Sequence, residues 1–151
     1  TNIHIISVPV QHFSGRGIFD RNKSLWTGWV IEIKKDMSVI KLFFSGDTGF
    51  SDDFKDIYNK IGNIDYAFLP IGAYDPQTIM KPVHINPEEA VKIHKTLRVK
   101  QSFAMHWGTF VLTDELIDEP PKRLKQALQN EGLSFEEFKV LQIGETTRLL
   151  E

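Results

Sequence analysis

Short apolar runs alternate along the chain with stretches whose apolar residues recur every three or four positions, a pattern that predicts an α/β or α+β fold. Ile3–Pro9 reads as a strand, and Trp26–Ile33 with Val39–Ser45 as a β-hairpin joined around Lys34–Ser38. Asp65–Pro70 and Ser102–Met105 are short runs of the kind buried on both faces of a sheet. Ser51 is placed to N-cap a helix reaching Gly62, with Phe54, Ile57, Tyr58 and Ile61 on one face. Asn86-Pro87-Glu88-Glu89 predicts a second helix start: Asn caps, Pro takes the first position, and Glu89 reaches back. That helix runs to about Leu97, with Ala90, Ile93 and Leu97 inward and His94 on its surface. Pro120-Pro121 opens a third helix through Asn130, with Leu124 and Leu128 one turn apart and a stop near Gly132. Lys139–Ile143 and Thr146–Leu150 read as a closing strand pair around Gly144-Glu145. No repeat, low-complexity segment or linker interrupts the pattern, so the reading is one compact unit.

Composition narrows the function classes. At 151 residues the chain is long enough for one domain with a real core. Eighteen Lys+Arg against twenty Asp+Glu leave a net charge of −2, which argues against a nucleic-acid partner, whose phosphates demand a basic excess. No apolar run approaches the ~20 residues that span a bilayer. The expected location is cytoplasmic or at a membrane periphery. Cysteine is absent, so thiolate metal sites, disulfides and cysteine nucleophiles are excluded. Any metal must be held by imidazole and carboxylate.

Three polar residues stand where an apolar strand stops: His12 after Ile5–Val10, Asp47 after Leu42–Phe44, and His106 after Phe103–Met105. Strand ends are where a rigid sheet delivers side chains into a shared crevice. Two imidazoles and a carboxylate are a plausible ligand set for Zn²⁺. Taken singly, each position also suits ordinary turn or rim chemistry, so spacing alone leaves metal binding and structural roles both open. Arg16 and Lys23, close after His12, could add positive potential for a phosphate. Phe13, Phe19, Trp26 and Phe50 could line an acyl groove.

Six segments occur in order: Val8-Pro9-Val10-Gln11-His12, Asn22-Lys23-Ser24-Leu25-Trp26, Phe44-Ser45-Gly46-Asp47-Thr48-Gly49, Pro70-Ile71-Gly72-Ala73-Tyr74, Met80-Lys81-Pro82-Val83-His84-Ile85-Asn86-Pro87-Glu88-Glu89-Ala90 and His106-Trp107-Gly108-Thr109-Phe110. As an ordered set they resemble the C-terminal half of metallo-β-lactamase-fold hydrolases of the N-acyl-phosphatidylethanolamine phospholipase D type. The resemblance runs from about Ile5 to Leu149 and implies the αββα sandwich of that fold. It implies that His12 binds one zinc, Asp47 bridges two, and His106 binds the second. A carboxylate can hold two cations about 3.5–4 Å apart by giving one oxygen to each. The same resemblance makes Asp47 and His84 catalytic, with His84 contacting substrate or handling a proton near the leaving group, and Arg16 and Tyr74 as further substrate contacts. The implied substrate is an N-acyl-phosphatidylethanolamine or related phosphodiester, hydrolysed with two zinc ions.

The sequence departs from that family at one place. The hallmark His-x-His-x-Asp-His, which supplies four metal ligands, is absent: the five histidines are His4, His12, His84, His94 and His106. The chain therefore reads as the C-terminal half of a metallo-β-lactamase-like domain, and its start at Thr1 fits a longer parent. The expected partner is the missing N-terminal half, or a second copy of this chain. The isolated chain is expected to be inactive, because three ligands divided between two metal positions close neither. Alternatives are another hydrolase of the same superfamily, such as a lactonase or cyclic phosphodiesterase, and a non-catalytic α/β module binding a partner.

Overall fold

The structure, a computed structural model, describes residues 1–149. Six strands form one mixed sheet in chain order: β1 (Asn2–Val8), β2 (Gly28–Lys35), β3 (Ser38–Phe44), β4 (Tyr66–Pro70), β5 (Gln101–Met105) and β6 (Phe138–Lys139). The first three pair antiparallel, whereas β3 through β6 pair parallel. Parallel neighbours need crossovers, supplied by helices α1 (Asp53–Ile61), α3 (Pro87–Thr96) and α4 (Glu119–Asn130), with the single turn α2 (Gln77–Met80) preceding α3. Each crossover steps in the same direction along the sheet. Strand–helix–strand units share one handedness, so all three helices must lie on the same face.

Register shows the result directly, since residues paired across strands share a face. The row Ile6, Val30, Phe43, Ala67, Ser102 and Phe138 lies under the helices. It packs with Phe54 and Ile57 of α1, Ala90 and Ile93 of α3, and Leu124 and Leu128 of α4 in one core. The neighbouring rows point the other way: Ile5, Ile31, Leu42 and Tyr66, and Trp29, Phe44, Phe68 and Phe103. This second face is as apolar as the first, yet Ile3, Ile5, Trp29 and Phe44 stay exposed. The Tyr66 hydroxyl donates to the Leu149 carbonyl, so the C-terminal segment crosses this face at one place.

Several local expectations hold and others shift. Helix α3 begins with the full capping box: Asn86 Oδ1 accepts from the Glu89 N–H at 2.8 Å while Glu89 Oε2 accepts from the Asn86 N–H at 3.2 Å. Helix α1 is capped at Asp52 rather than Ser51, and the Ser51 hydroxyl accepts instead from the Asp53 N–H. No terminal hairpin forms among the described residues. Phe138–Lys139 pairs parallel with β5, the chain beyond it is irregular, and Leu150 lies outside the described residues.

His94 is not a surface residue. It is 4% exposed, because α3 is clamped between α4 and the sheet and presents apolar contact on more than one side. Its Nδ1 shares a 2.9 Å hydrogen bond with Ser102 Oγ, and its ring stacks on Phe138. Burial holds its pKa below the ordinary histidine value, with the Glu137 carboxylate opposing. The unfolded chain therefore takes up a proton that the folded chain refuses. This part of the stability is complete above the unfolded pKa of about 6.5 and is lost as pH falls below it. Urea unfolding across that range is expected to show the decline. A His94→Gln variant, which keeps a hydrogen-bonding group but does not titrate, should lose that part of the pH slope.

Candidate metal centre

Because β2 reverses the chain between β1 and β3, strands β1, β3, β4 and β5 all run the same way and end at the same edge. The loops that leave them meet there. Gln11 stitches three of these loops together. Its N–H donates to Thr48 Oγ1 at 3.0 Å, its carbonyl accepts from the Gly49 N–H at 2.7 Å, and its side-chain amide donates to the Pro82 carbonyl at 2.7 Å. Gly49 and Gly72 allow the close approaches this requires. A Cβ on Gly49 would overlap the Pro82 carbonyl, and one on Gly72 would overlap the His106 carbonyl. Ser45 and Thr48, both buried, pin the turn that carries Asp47: Ser45 Oγ reaches the Phe68 carbonyl and Thr48 accepts from Gln11.

Three imidazoles converge on the Asp47 carboxylate. His84 Nδ1 lies 2.8 Å from Oδ1, and His106 Nε2 and His12 Nε2 lie 3.2 and 3.4 Å from Oδ2. His12 is oriented from behind. Its Nδ1 is 2.9 Å from the Phe13 carbonyl, which can only accept, so Nδ1 carries a proton and Nε2 is the nitrogen turned toward Asp47, the one left to ligate a cation. His12 Nε2, Asp47 Oδ1 and His84 Nδ1 are all buried without a well-aligned hydrogen-bond partner. Unpartnered buried polar atoms are costly, and a cluster of them facing one another is what a cation would satisfy. One donor atom each from His12, Asp47 and His84 lies within 4.8 Å of the others. Imidazole nitrogen with carboxylate oxygen suits a borderline-soft divalent ion such as zinc.

Electrostatics point the same way. Burial by itself would raise the Asp47 pKa, but the close approach and charge of the His106 and His84 imidazoles, 3.2 and 2.8 Å away, outweigh it and hold the group well below the ordinary carboxylate range. The hydrogen bond to Asp47 in turn raises the His106 pKa against the effect of its own burial. The carboxylate is kept ionised, the form that binds a cation. His106 also adopts φ 58°, an uncommon backbone for a residue with a side chain and one concentrated at functional sites.

Of the six residues singled out from the sequence, His12, Asp47, His84 and His106 come together and two do not join them. Arg16 is exposed on the loop after His12. Tyr74 is 1% exposed, its hydroxyl donating to Glu119 at 2.8 Å and its ring covered by the Arg123 guanidinium. Burial and the Glu119 carboxylate push its pKa up, so it is a neutral strut within the turn after β4. Glu115 holds the same turn, accepting from the N–H groups of Ala73 and Asp75 at 2.6 and 3.0 Å. Glu115, Gln11, Gly49 and Gly72 were not picked out as site residues. Gln11 beside His12 and Gly72 two residues past β4 offered the only local signals. A cleft of about 330 Å³ opens beside His106, walled by Trp107, Phe110, Leu112, Leu116 and Pro120.

A sequence profile described as a beta-lactamase superfamily domain matches residues 1–107. The chain belongs to the metallo-β-lactamase superfamily. Within this superfamily it falls in the N-acyl-phosphatidylethanolamine phospholipase D-like branch. It is 42% identical, over 95% of its length, to "N-acyl-phosphatidylethanolamine-hydrolyzing phospholipase D 1" of Caenorhabditis elegans, and 41% identical over 81% to the mitochondrial enzyme of that name from Saccharomyces cerevisiae. It spans 40% and 26% of those two relatives' lengths. Among solved structures, the metallo hydrolase Igni18 of Ignicoccus hospitalis superposes with a TM-score of 0.67 at 27% identity, covering 96% of this chain and 52% of that one. As a metallo-β-lactamase-superfamily protein, the chain has hydrolases for relatives and a donor set that suits a metal.

Gly72→Ala is the substitution that tests the packing behind this centre. Its methyl group must displace the His106 backbone, so stability should fall by roughly 1–3 kcal/mol. Affinity for an added divalent metal ion, read by competition with a chromogenic chelator, should fall with it. Unchanged thermal unfolding and unchanged affinity would show that His106 is not held through this contact.

Proposed function

We propose that this protein contributes part of the active site of a zinc-dependent phosphodiesterase acting on N-acyl-phosphatidylethanolamine-type phospholipids. The products would be phosphatidic acid and an N-acylethanolamine. The observation that carries this reading is the convergence of the His12, His84 and His106 imidazoles on the Asp47 carboxylate at a strand edge. The relatives named for this reaction support the substrate class. His12, Asp47 and His106 would hold the metal, with the two Asp47 oxygens available to two cations. When bound, zinc at such a site polarises a phosphoryl oxygen and acidifies water. The chain's own residues do the rest. Asp47 stays ionised, Phe13 fixes the His12 tautomer that leaves Nε2 to ligate, and His84 would pass a proton to the leaving oxygen. Arg16, exposed on the loop beyond His12, would add positive potential for the phosphate. The apolar cleft beside His106 gives an acyl chain a place out of water.

The position of His84 favours a second reading of that one residue. Its Nδ1 belongs to the group of three donors that could share an ion, which would make it a ligand rather than a proton carrier. In the full-length enzyme, zinc counting by atomic emission beside a phosphodiesterase assay separates the two. Asp47→Ala should lose both metal and activity. His84→Ala should keep its metal and lose turnover by about 10²–10⁴-fold, the range for removing a general acid. Zinc loss in the His84 variant would place it in the ligand shell.

We further propose that the chain is the C-terminal half of a metallo-β-lactamase sandwich. The apolar sheet face away from the helices supports this, because monomers rarely expose contiguous apolar patches beyond a few hundred Å². So does the share of its relatives that the chain spans. Alone it should bind zinc weakly, turn over little, and self-associate through that face. Sedimentation velocity on the 151 residues is the check. A cooperative, well-folded monomer at micromolar concentration would show that the domain is complete as it stands.

A further inference from the structure

The loop between β1 and β2 has a construction that the metal centre does not require. Its base is closed by the Trp26 indole N–H, which donates to the Val10 carbonyl at 2.8 Å. Its two limbs are tied by Ser14 and Asn22, whose backbone and side chain bond in both directions, and by the Ser14 hydroxyl on the Ser24 carbonyl at 2.6 Å. At the far end the Asp20 carboxylate accepts from the N–H groups of Arg16 and Gly17, closing a tight turn. This bonded frame holds Ile18 and Phe19 outward at 91% and 84% exposure, and Leu25 on the returning limb at 94%. Large apolar side chains normally end up that exposed by chance in floppy segments. Here hydrogen bonds on both limbs fix them in place.

Charge accompanies the apolar tip. In a protein of net charge −2, this loop carries Arg16, Arg21 and Lys23 against Asp20 alone, and Asp20 is already committed to backbone N–H groups. Arg21 lies over the Phe13 ring, which stacks on His12 at 4.5 Å between centroids. The loop is thus continuous with the metal centre. Apolar residues that can enter the boundary between headgroups and acyl chains, ringed by cations that meet phosphates, are the elements of an interfacial anchor.

We propose that residues 14–25 form a docking loop for an anionic phospholipid bilayer, with Ile18 and Phe19 inserting and Arg21 and Lys23 pairing with headgroup phosphates. Bound this way, the membrane lies against the mouth of the centre, and a lipid reaches the carboxylate and imidazoles by a short lateral path. Phe19 then belongs to the membrane contact and not to a groove in the protein. The inference deepens the phospholipid reading above, but its test needs no turnover. Failure here leaves the hydrolytic reading standing, and an inactive protein leaves this one standing.

The experiment is co-sedimentation of the full chain with vesicles of phosphatidylcholine, with and without phosphatidylserine. Binding is expected to the phosphatidylserine vesicles and to weaken with salt. Joint replacement Ile18→Ser and Phe19→Ser should reduce it at least ~10-fold, given the apolar area withdrawn. Lys23→Glu should reduce it at least ~5-fold. Met37→Ser, equally exposed but at the opposite end of the sheet, should change nothing. Both tip residues project away from the core, and near-ultraviolet circular dichroism of each variant confirms that its fold is retained. Equal binding to both vesicle types, or a tip variant that binds as the parent does, overturns the proposal. So does a tip variant that converts a dimer to monomer while keeping its vesicle affinity, since the loop would then be meeting polypeptide.

Discussion

Three of the four site residues are spaced by one residue whose backbone and side chain are bonded to two other loops at once. Gln11 meets Thr48 and Gly49 with its main chain and Pro82 with its amide. His12 follows it, Asp47 precedes Thr48, and His84 follows Pro82 by two positions. The spacing of three site residues is therefore set by hydrogen bonds a residue or two away, not by the side chains themselves. The scaffold thus holds imidazole and carboxylate face to face, and an ion would gain a site that need not be assembled.

The rest of the edge is built on different physics. His106 is positioned by a close backbone approach, its carbonyl against Gly72, and the turn containing Gly72 is clamped by Glu115 and braced by Tyr74. The Glu115 clamp comes from far along the chain and also lines the apolar cleft. The segment that walls the cleft thus also supports the turn against His106.

Much of this was legible before any coordinates. The capping box at Asn86 and Glu89 is a local pattern, as are the apolar runs of β4 and β5; His12, Asp47 and His106 were visible as polar positions at strand ends, and His84 through the resemblance alone. What the sequence left hidden was non-local. His94 looks exposed on a helical wheel because the wheel knows one core direction, whereas α3 packs against both α4 and the sheet. Lys139–Ile143 alternates like a hairpin strand, but the partner of Lys139 is Phe103, far back in the chain. Tyr74 read as a substrate contact because the Gly72-Ala73-Tyr74 run resembles that of relatives, and its burial depends on Glu119 and Arg123. How the imidazoles divide their roles depends on angles at Asp47 that no spacing encodes.

The order of assembly follows from the same connectivity. From β3 to β5 each strand pairs with the next across a single helix, so the sheet and its helical cover can grow through contacts that are modest in loop-closure cost. The bonds that define the edge close loops as long or longer: Gln11 to Thr48 spans 37 residues, Ala73 to Glu115 spans 42, and Gln11 to Pro82 spans 71. Such closures gain only once the framework has brought their ends together. The centre thus rests on closures at least as long as any between the strands. Its closed geometry gains most from a ligand that binds the folded form alone. Metal availability would then govern how long this edge survives in the cell as well as what it does there.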